Sequence, residues 1–201
     1  MKRNFLIFLL IFLFIPVTAF SWDYEEEADS WYSYWGIGYA FTFYPTPIQQ
    51  TVDELNSSEN VNHLPLYVDL FGFYLTLPDN NTICGVIFNL INDRYNNGNY
   101  GGRSIQYNHY LIAASGQHYF GRIGRGYFVR ADIGLAYMTA NNPFYSRESA
   151  ASDTGWGVLA GAGYAVPIEG GPSVILNINY THKQIMGEGY GGLMLGISTI
   201  L

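Results

Sequence analysis

From Tyr127 to Met138 the chain alternates with period two. Tyr127, Val129, Ala131, Ile133, Leu135 and Tyr137 fall on one side, and Phe128, Arg130, Asp132, Gly134, Ala136 and Met138 on the other. Successive side chains of a strand point to opposite faces, so this stretch predicts a strand with one wholly apolar face. A tyrosine closes that face at each end, ten residues apart. At about 3.3 Å rise per residue and roughly 40° of tilt, the two rings stand about 25 Å apart, the height of the apolar band of a membrane-spanning strand.

The same pattern recurs along the chain. Tyr34–Tyr44 places Trp35, Ile37, Tyr39, Phe41 and Phe43 on one face. In Leu66–Leu77, Leu66, Val68, Leu70 and Tyr74 are expected opposite Tyr67, Asp69, Phe71 and Phe73. Thr82–Asn92 sets Cys84, Val86, Phe88 and Leu90 against Gly85, Ile87 and Asn89. Ser104–Phe120 reads as a strand in either register. Gly155–Val166 turns Trp156, Val158, Ala160, Ala162, Tyr164 and Val166 one way, and the stretches around Val174–Thr181 and Leu193–Leu201 complete a set of eight. Long polar connections near 46–63, 93–103 and 139–153, and a modest one near 182–188, alternate with compact turns at 78–81, 121–126 and 167–172. Eight strands joined alternately by long and short connections predict an all-β, antiparallel up-and-down barrel.

Ahead of these strands, residues 1–21 carry Lys2 and Arg3, the apolar run Phe5–Pro16 and then small residues. This is the pattern of a cleaved export signal, with cleavage after Ala19 or Ser21. Residues 22–30 form an acidic tail, and 31–201 the barrel.

Composition decides which side of the barrel wall meets water. Charged residues are only 12% of the chain and aromatics 17%. A soluble barrel coats its exterior with Lys, Glu and Asp, whereas the non-apolar face here is mostly Gly, Ala, Ser and Asn. The clear strand charges, Asp69, Arg130, Asp132 and Lys183, all lie opposite the apolar face. A charge on the lipid face costs about 2–4 kcal/mol near the bilayer midplane. The apolar face is therefore expected to meet lipid, with Tyr127, Tyr137, Trp156, Tyr164 and Trp35 as interface anchors. The four charges are expected to cluster in a narrow lumen, paired because an isolated buried ion is very costly.

A net charge of −7 argues against nucleic acid as a partner. The lone Cys84 excludes an internal disulfide, and the four histidines show no metal-ligand spacing. No cofactor, metal or catalytic residue is expected from the motifs.

The first strand Trp35-Gly36-Ile37-Gly38-Tyr39-Ala40, the late strand Trp156–Tyr164 with glycines at 157, 161 and 163, and a final strand running to the chain end carry a resemblance. Over residues 31–201 the chain resembles the small eight-stranded outer-membrane barrels of the OmpA/OmpX/OmpW and opacity-protein type, with no subfamily distinguished. The resemblance implies a bacterial outer-membrane location, with outer-membrane lipid and lipopolysaccharide as surroundings. It also implies assembly by machinery that reads the C-terminal strand, although this chain ends in Leu201 where such proteins commonly end in an aromatic residue. The expected role is structural or adhesion-like, with an external ligand meeting loops 93–103 and 139–153. The alternatives are a conduit for small, hydrophobic solutes and a lipid-modifying enzyme. Some such barrels use a rim His and Ser, but His182 lacks the adjacent serine.

Overall fold

A computed structural model describes residues 28–58, 61–97, 104–141, 150–169 and 171–201. The expected export signal and most of the acidic tail lie outside these residues. The strands are β1 (Trp31–Phe43), β2 (Val61–Thr76), β3 (Thr82–Asn97), β4 (Ser104–Tyr119), β5 (Gly126–Asn141), the two-residue β6 (Ala150–Ala151), β7 (Gly155–Pro167), β8 (Ser173–Ile185) and β9 (Glu188–Ile200). Each long strand pairs antiparallel with its sequence neighbour, and β1 pairs with β9, closing an eight-stranded barrel. β6 only extends the sheet along the end of β5.

The alternation sorts side chains as hydropathy demands. Ile37, Ile133, Leu135, Val86 and Ile197 are among the large apolar residues exposed on the outside, while Asp69, Asp93, Arg130, Asp132 and Lys183 are all buried within. The ambiguous strand β4 resolves with Leu111, Ala113, Ser115 and Gln117 inward and Ile112 outward. An outer wall of this composition is suited to lipid, and it carries aromatic pairs at two levels. Tyr127 meets Tyr164 edge-on at 4.8 Å at the end with the short turns, and Tyr137 stacks on Tyr110 at 4.5 Å towards the other. Trp35 packs edge-on against Phe71 at 5.6 Å, and Trp156 is half exposed beside His182.

Three expectations need correction. First, β2 does not alternate without interruption. Tyr34 pairs with Gly72 but Gly36 with Asp69, and across the other edge Asp69 pairs with Asn89 but Phe71 with Phe88. Leu70 is an extra residue, a β-bulge. Beyond it the faces exchange: Phe71 and Phe73 turn outward, and Gly72 and Tyr74 turn into the lumen. Second, the connection near 46–63 is not all loop, because Thr46–Ser57 forms helix α1. Pro45 and Pro47 suit a helix start, where a missing N–H costs nothing, and Ile48, Val52 and Leu55 form one apolar stripe packed on the core. Third, strands β2 to β5 run 16 residues each, so Asp93–Asn97 belongs to β3 rather than to a loop. The modest connection near 182–188 is a tight turn at Met186-Gly187, both with positive φ.

The turn end is tied at both chain termini. Leu201 and Ser33 exchange backbone hydrogen bonds at 2.9 and 3.0 Å. The last residues of the acidic tail join the same end, since Thr76 N–H donates to the Ser30 carbonyl at 3.1 Å and Asp29 N–H to the Tyr32 hydroxyl at 3.0 Å.

Candidate functional site: a hydrogen-bonded lumen

The period of β5 points Arg130 and Asp132 inward from consecutive lumen positions. On β2, the two positions before the bulge do the same for Tyr67 and Asp69. Arg130 bridges the two acids. Its Nη1 donates to Asp69 Oδ2 at 2.8 Å, and its Nη2 and Nε donate to Asp132 Oδ2 at 2.7 and 3.0 Å. All three side chains are fully buried. The guanidinium also lies over the ring of Tyr34, 5.4 Å from its centroid, which adds a cation–π contact.

Two carboxylates beside one guanidinium need further donors, because burying charge without full hydrogen bonding is costly. Asp69 receives them from the Tyr67 hydroxyl and from Asn89 Nδ2 at 3.1 Å. Asp132 receives one from Ser115 Oγ at 2.5 Å, and Ser115 is bonded to the Tyr74 hydroxyl at 2.8 Å. The network continues as Asn179 Nδ2 donates to the Tyr67 hydroxyl at 3.3 Å and to Asn177 Oδ1 at 3.0 Å. Asn177 Nδ2 in turn donates to Ser198 Oγ at 2.7 Å and to the Tyr34 hydroxyl at 3.1 Å. Every barrel strand except β7 contributes a hydrogen-bonding side chain. β7 contributes space: a Cβ added at Gly161 would collide with Asn179 Oδ1.

Lys183, expected beside these charges, is buried but bonded elsewhere. Its Nζ donates to the His109 carbonyl at 3.3 Å. His109 belongs to a second group towards the loop end. There the Tyr44 hydroxyl donates to Asp93 Oδ2 at 2.5 Å and lies 3.4 Å from His109 Nε2, and His63 Nε2 is 2.7 Å from Asp93 Oδ1. The His63 ring stacks on Tyr95 at 4.3 Å and 6°. Sequence reading missed this group because it ended β3 at Asn92. Counting the alternation three residues further would have turned Asp93 and Tyr95 inward.

His182 lies on the outer side of β8, 6.2 Å from the Trp156 ring, and belongs to neither group. Among the described residues no set of three His, Cys, Asp or Glu side chains is placed to hold a metal ion.

These features define an eight-stranded barrel of the outer-membrane type, lipid-compatible outside and hydrogen-bonded within. Among solved structures it is similar to the attachment invasion locus protein Ail of Yersinia pestis in complex with the heparin analogue sucrose octasulfate. That match has a TM-score of 0.53 and 15% identity, over 86% of this chain and all of Ail. The structure of Ail alone gives a TM-score of 0.50 and 16% identity over the same shares. Neisserial surface protein A matches at a TM-score of 0.48 and 18% identity, over 86% of this chain and 98% of that one. No family model and no curated protein sequence matches the chain.

Proposed function

We propose that the protein is an integral outer-membrane barrel that works through its loop end, in a structural and adhesion-like role, surrounded by outer-membrane lipid and lipopolysaccharide. The observation that carries this reading is the Arg130 network. A lumen crossed by a guanidinium fixed to Asp69 on one wall and Asp132 on another is filled by its own side chains, as expected for a barrel this narrow. A filled lumen argues against the conduit reading and leaves the loop end as the working surface. No observation favours lipid-modifying chemistry: His182 faces outward beside Trp156, with Thr181 and Lys183 as its chain neighbours.

Ail is an attachment protein by name, and its complex holds a polyanion. The adhesion-like role is extended to this chain, but the polyanion is not. Helix α1 contributes Asp53 and Glu54 to the loop end and no basic residue. Export by residues 1–21 and assembly through the final strand, with Leu201 in the terminal position, complete the proposal.

The test has two arms. Purified protein in planar bilayers is expected to show no conductance steps, and regular steps abolished by neutralising Asp69 and Asp132 would overturn the filled-lumen reading. Cells displaying the protein are expected to gain adherence to a host-cell or abiotic surface. Shortening 98–103 or 142–149 should abolish that gain while the barrel still migrates as a heat-modifiable band. Adherence indifferent to both deletions would reject the loop-end role.

A further inference from the structure

The barrel wall is not hydrogen-bonded along its whole height. Pairing between β1 and β2 stops at Tyr39 with Leu66. β1 nevertheless continues to Phe43, held by β9 through Gly191, and β2 continues to Val61, held by β3 through Asn97. Among the described residues, Ala40–Phe43 and Val61–Pro65 therefore run on as two facing edges with no ladder between them. Pro65 stands where the pairing ends, and proline within a sheet is confined to such edges because it has no N–H to donate. The chain joining the two edges folds back as α1, whose Val52 is buried against the gap.

A cavity of about 340 Å³ lies at this gap. Tyr39, Phe41 and Phe43, which belong to the outer face of β1, line it together with the inward Thr42 and with Val52 and Asn56 of α1. With residues from both faces of one strand among its lining, the cavity sits at the unpaired seam. Asp93 and His63 also line it. Both Asp93 oxygens are engaged, one by the Tyr44 hydroxyl and one by His63 Nε2. Each carboxylate oxygen has a second lone pair, and His63 Nε2 held to Asp93 leaves Nδ1 for a ligand. No Lys or Arg lines the cavity, and the acid on its wall is Asp93, held by His63.

We infer that this seam is a binding site for a small amphiphile with a neutral or cationic hydrogen-bonding head and an aromatic or short aliphatic body. The body would lie against Tyr39, Phe41 and Phe43, and the head would reach Asp93 and His63. An anionic head would meet the Asp93 carboxylate with no Lys or Arg among the lining residues to offset it, and would be rejected. The inference does not depend on the adhesion-like role, which concerns the loops beyond the cavity.

The experiment uses the full mature chain in phosphatidylcholine nanodiscs, with empty nanodiscs as baseline. 1-Aminoanthracene is the amine probe and anthracene-1-carboxylate its anionic counterpart, both followed by fluorescence. The expected result is saturable binding of the amine above baseline, and at least tenfold weaker binding of the carboxylate. Val52→Trp, which fills the cavity, should weaken amine binding at least tenfold, whereas Ser57→Trp on the exposed side of the same helix should leave it unchanged. Asp93→Asn should narrow the preference for the amine to less than threefold. Heat-modifiable migration reports whether each variant folds, and Asn56→Trp replaces Val52→Trp if the latter does not. Amine fluorescence that rises linearly as in empty nanodiscs overturns the proposal. So does saturable binding that both the cavity-filling and the Asp93→Asn variants leave intact.

Discussion

Arg130 on β5 and Asp69 on β2 are 61 residues apart in sequence, and Nη1 of the one lies 2.8 Å from Oδ2 of the other across the lumen. Removing one member of a buried pair leaves an uncompensated charge, at a cost of about 3–5 kcal/mol, whereas replacing the whole set by apolar residues of similar volume is often neutral. Arg130→Met is therefore expected to destabilise the barrel by about 3–5 kcal/mol. Arg130→Met with Asp69→Leu and Asp132→Leu should recover most of that loss. Urea titration in detergent micelles, read by tryptophan fluorescence, checks both, and a triple variant weaker than the single one would contradict this account.

Leu70 sets the register of everything that follows it on β2. Deleting it would return Phe71 and Phe73 to the lumen and turn Gly72 and Tyr74 towards lipid. Tyr74 would lose Ser115 and the stacked outer pair of Trp31 with Phe73 would be broken. A one-residue slip moves a strand's whole side-chain set to the wrong face. The deletion variant should accumulate as unfolded, protease-sensitive chain without a heat-modifiable band, whereas Leu70→Ala should fold.

Gly161 gives Asn179 its place. A side chain there must displace the amide that bonds Tyr67 and Asn177. Gly161→Val is expected to cost about 1–3 kcal/mol, as overpacking of a fitted interior does. Gly171→Ala, in a turn where an added Cβ meets nothing within 4 Å, bears only the strain of its φ of 109°. The same urea titration should rank Gly161→Val as the more damaging of the two.

Ile133 stands near the middle of the outer apolar band, 64% exposed. Ile133→Arg should cost about 2–4 kcal/mol in bilayer refolding equilibria, and the same change at Asn141, at the end of β5, should cost about 0–1 kcal/mol. Equal costs at the two positions would mean that the band does not lie in lipid.

Much of this wall is legible in the sequence because a strand's faces follow from counting. The outward and inward sets of β1, β3, β5, β7, β8 and β9 are those the alternation predicts. The count fails at Leu70 because Leu70 and Phe71 are both apolar, so the bulge leaves no mark in hydropathy. In β4 it stays open because Ile112, Ala113 and Ala114 suit either face until Ser115 finds Asp132. Helix α1 was hidden by its prolines, although Ile48, Val52 and Leu55 recur at helical spacing. The Arg130 trio follows from alternation together with the rule that buried charges pair. Lys183 shares the inward face, but alternation says nothing about height along the lumen, and height gives it to His109.

The seam between β1 and β9 joins the first strand of the barrel to the last, over nearly the whole length of the chain. Every other wall contact is between sequence neighbours and can zip locally, whereas this one must bring together the most distant parts of the polypeptide, against the entropy of the largest loop. The bond that Asn177 Nδ2 donates to the Tyr34 hydroxyl cannot form until β8 has arrived, and the Ser33–Leu201 tie waits for the end of β9. Closure of the barrel therefore waits for β9. A chain interrupted before β9 keeps two open strand edges, each a row of unpaired N–H and C=O groups ready to pair with another chain.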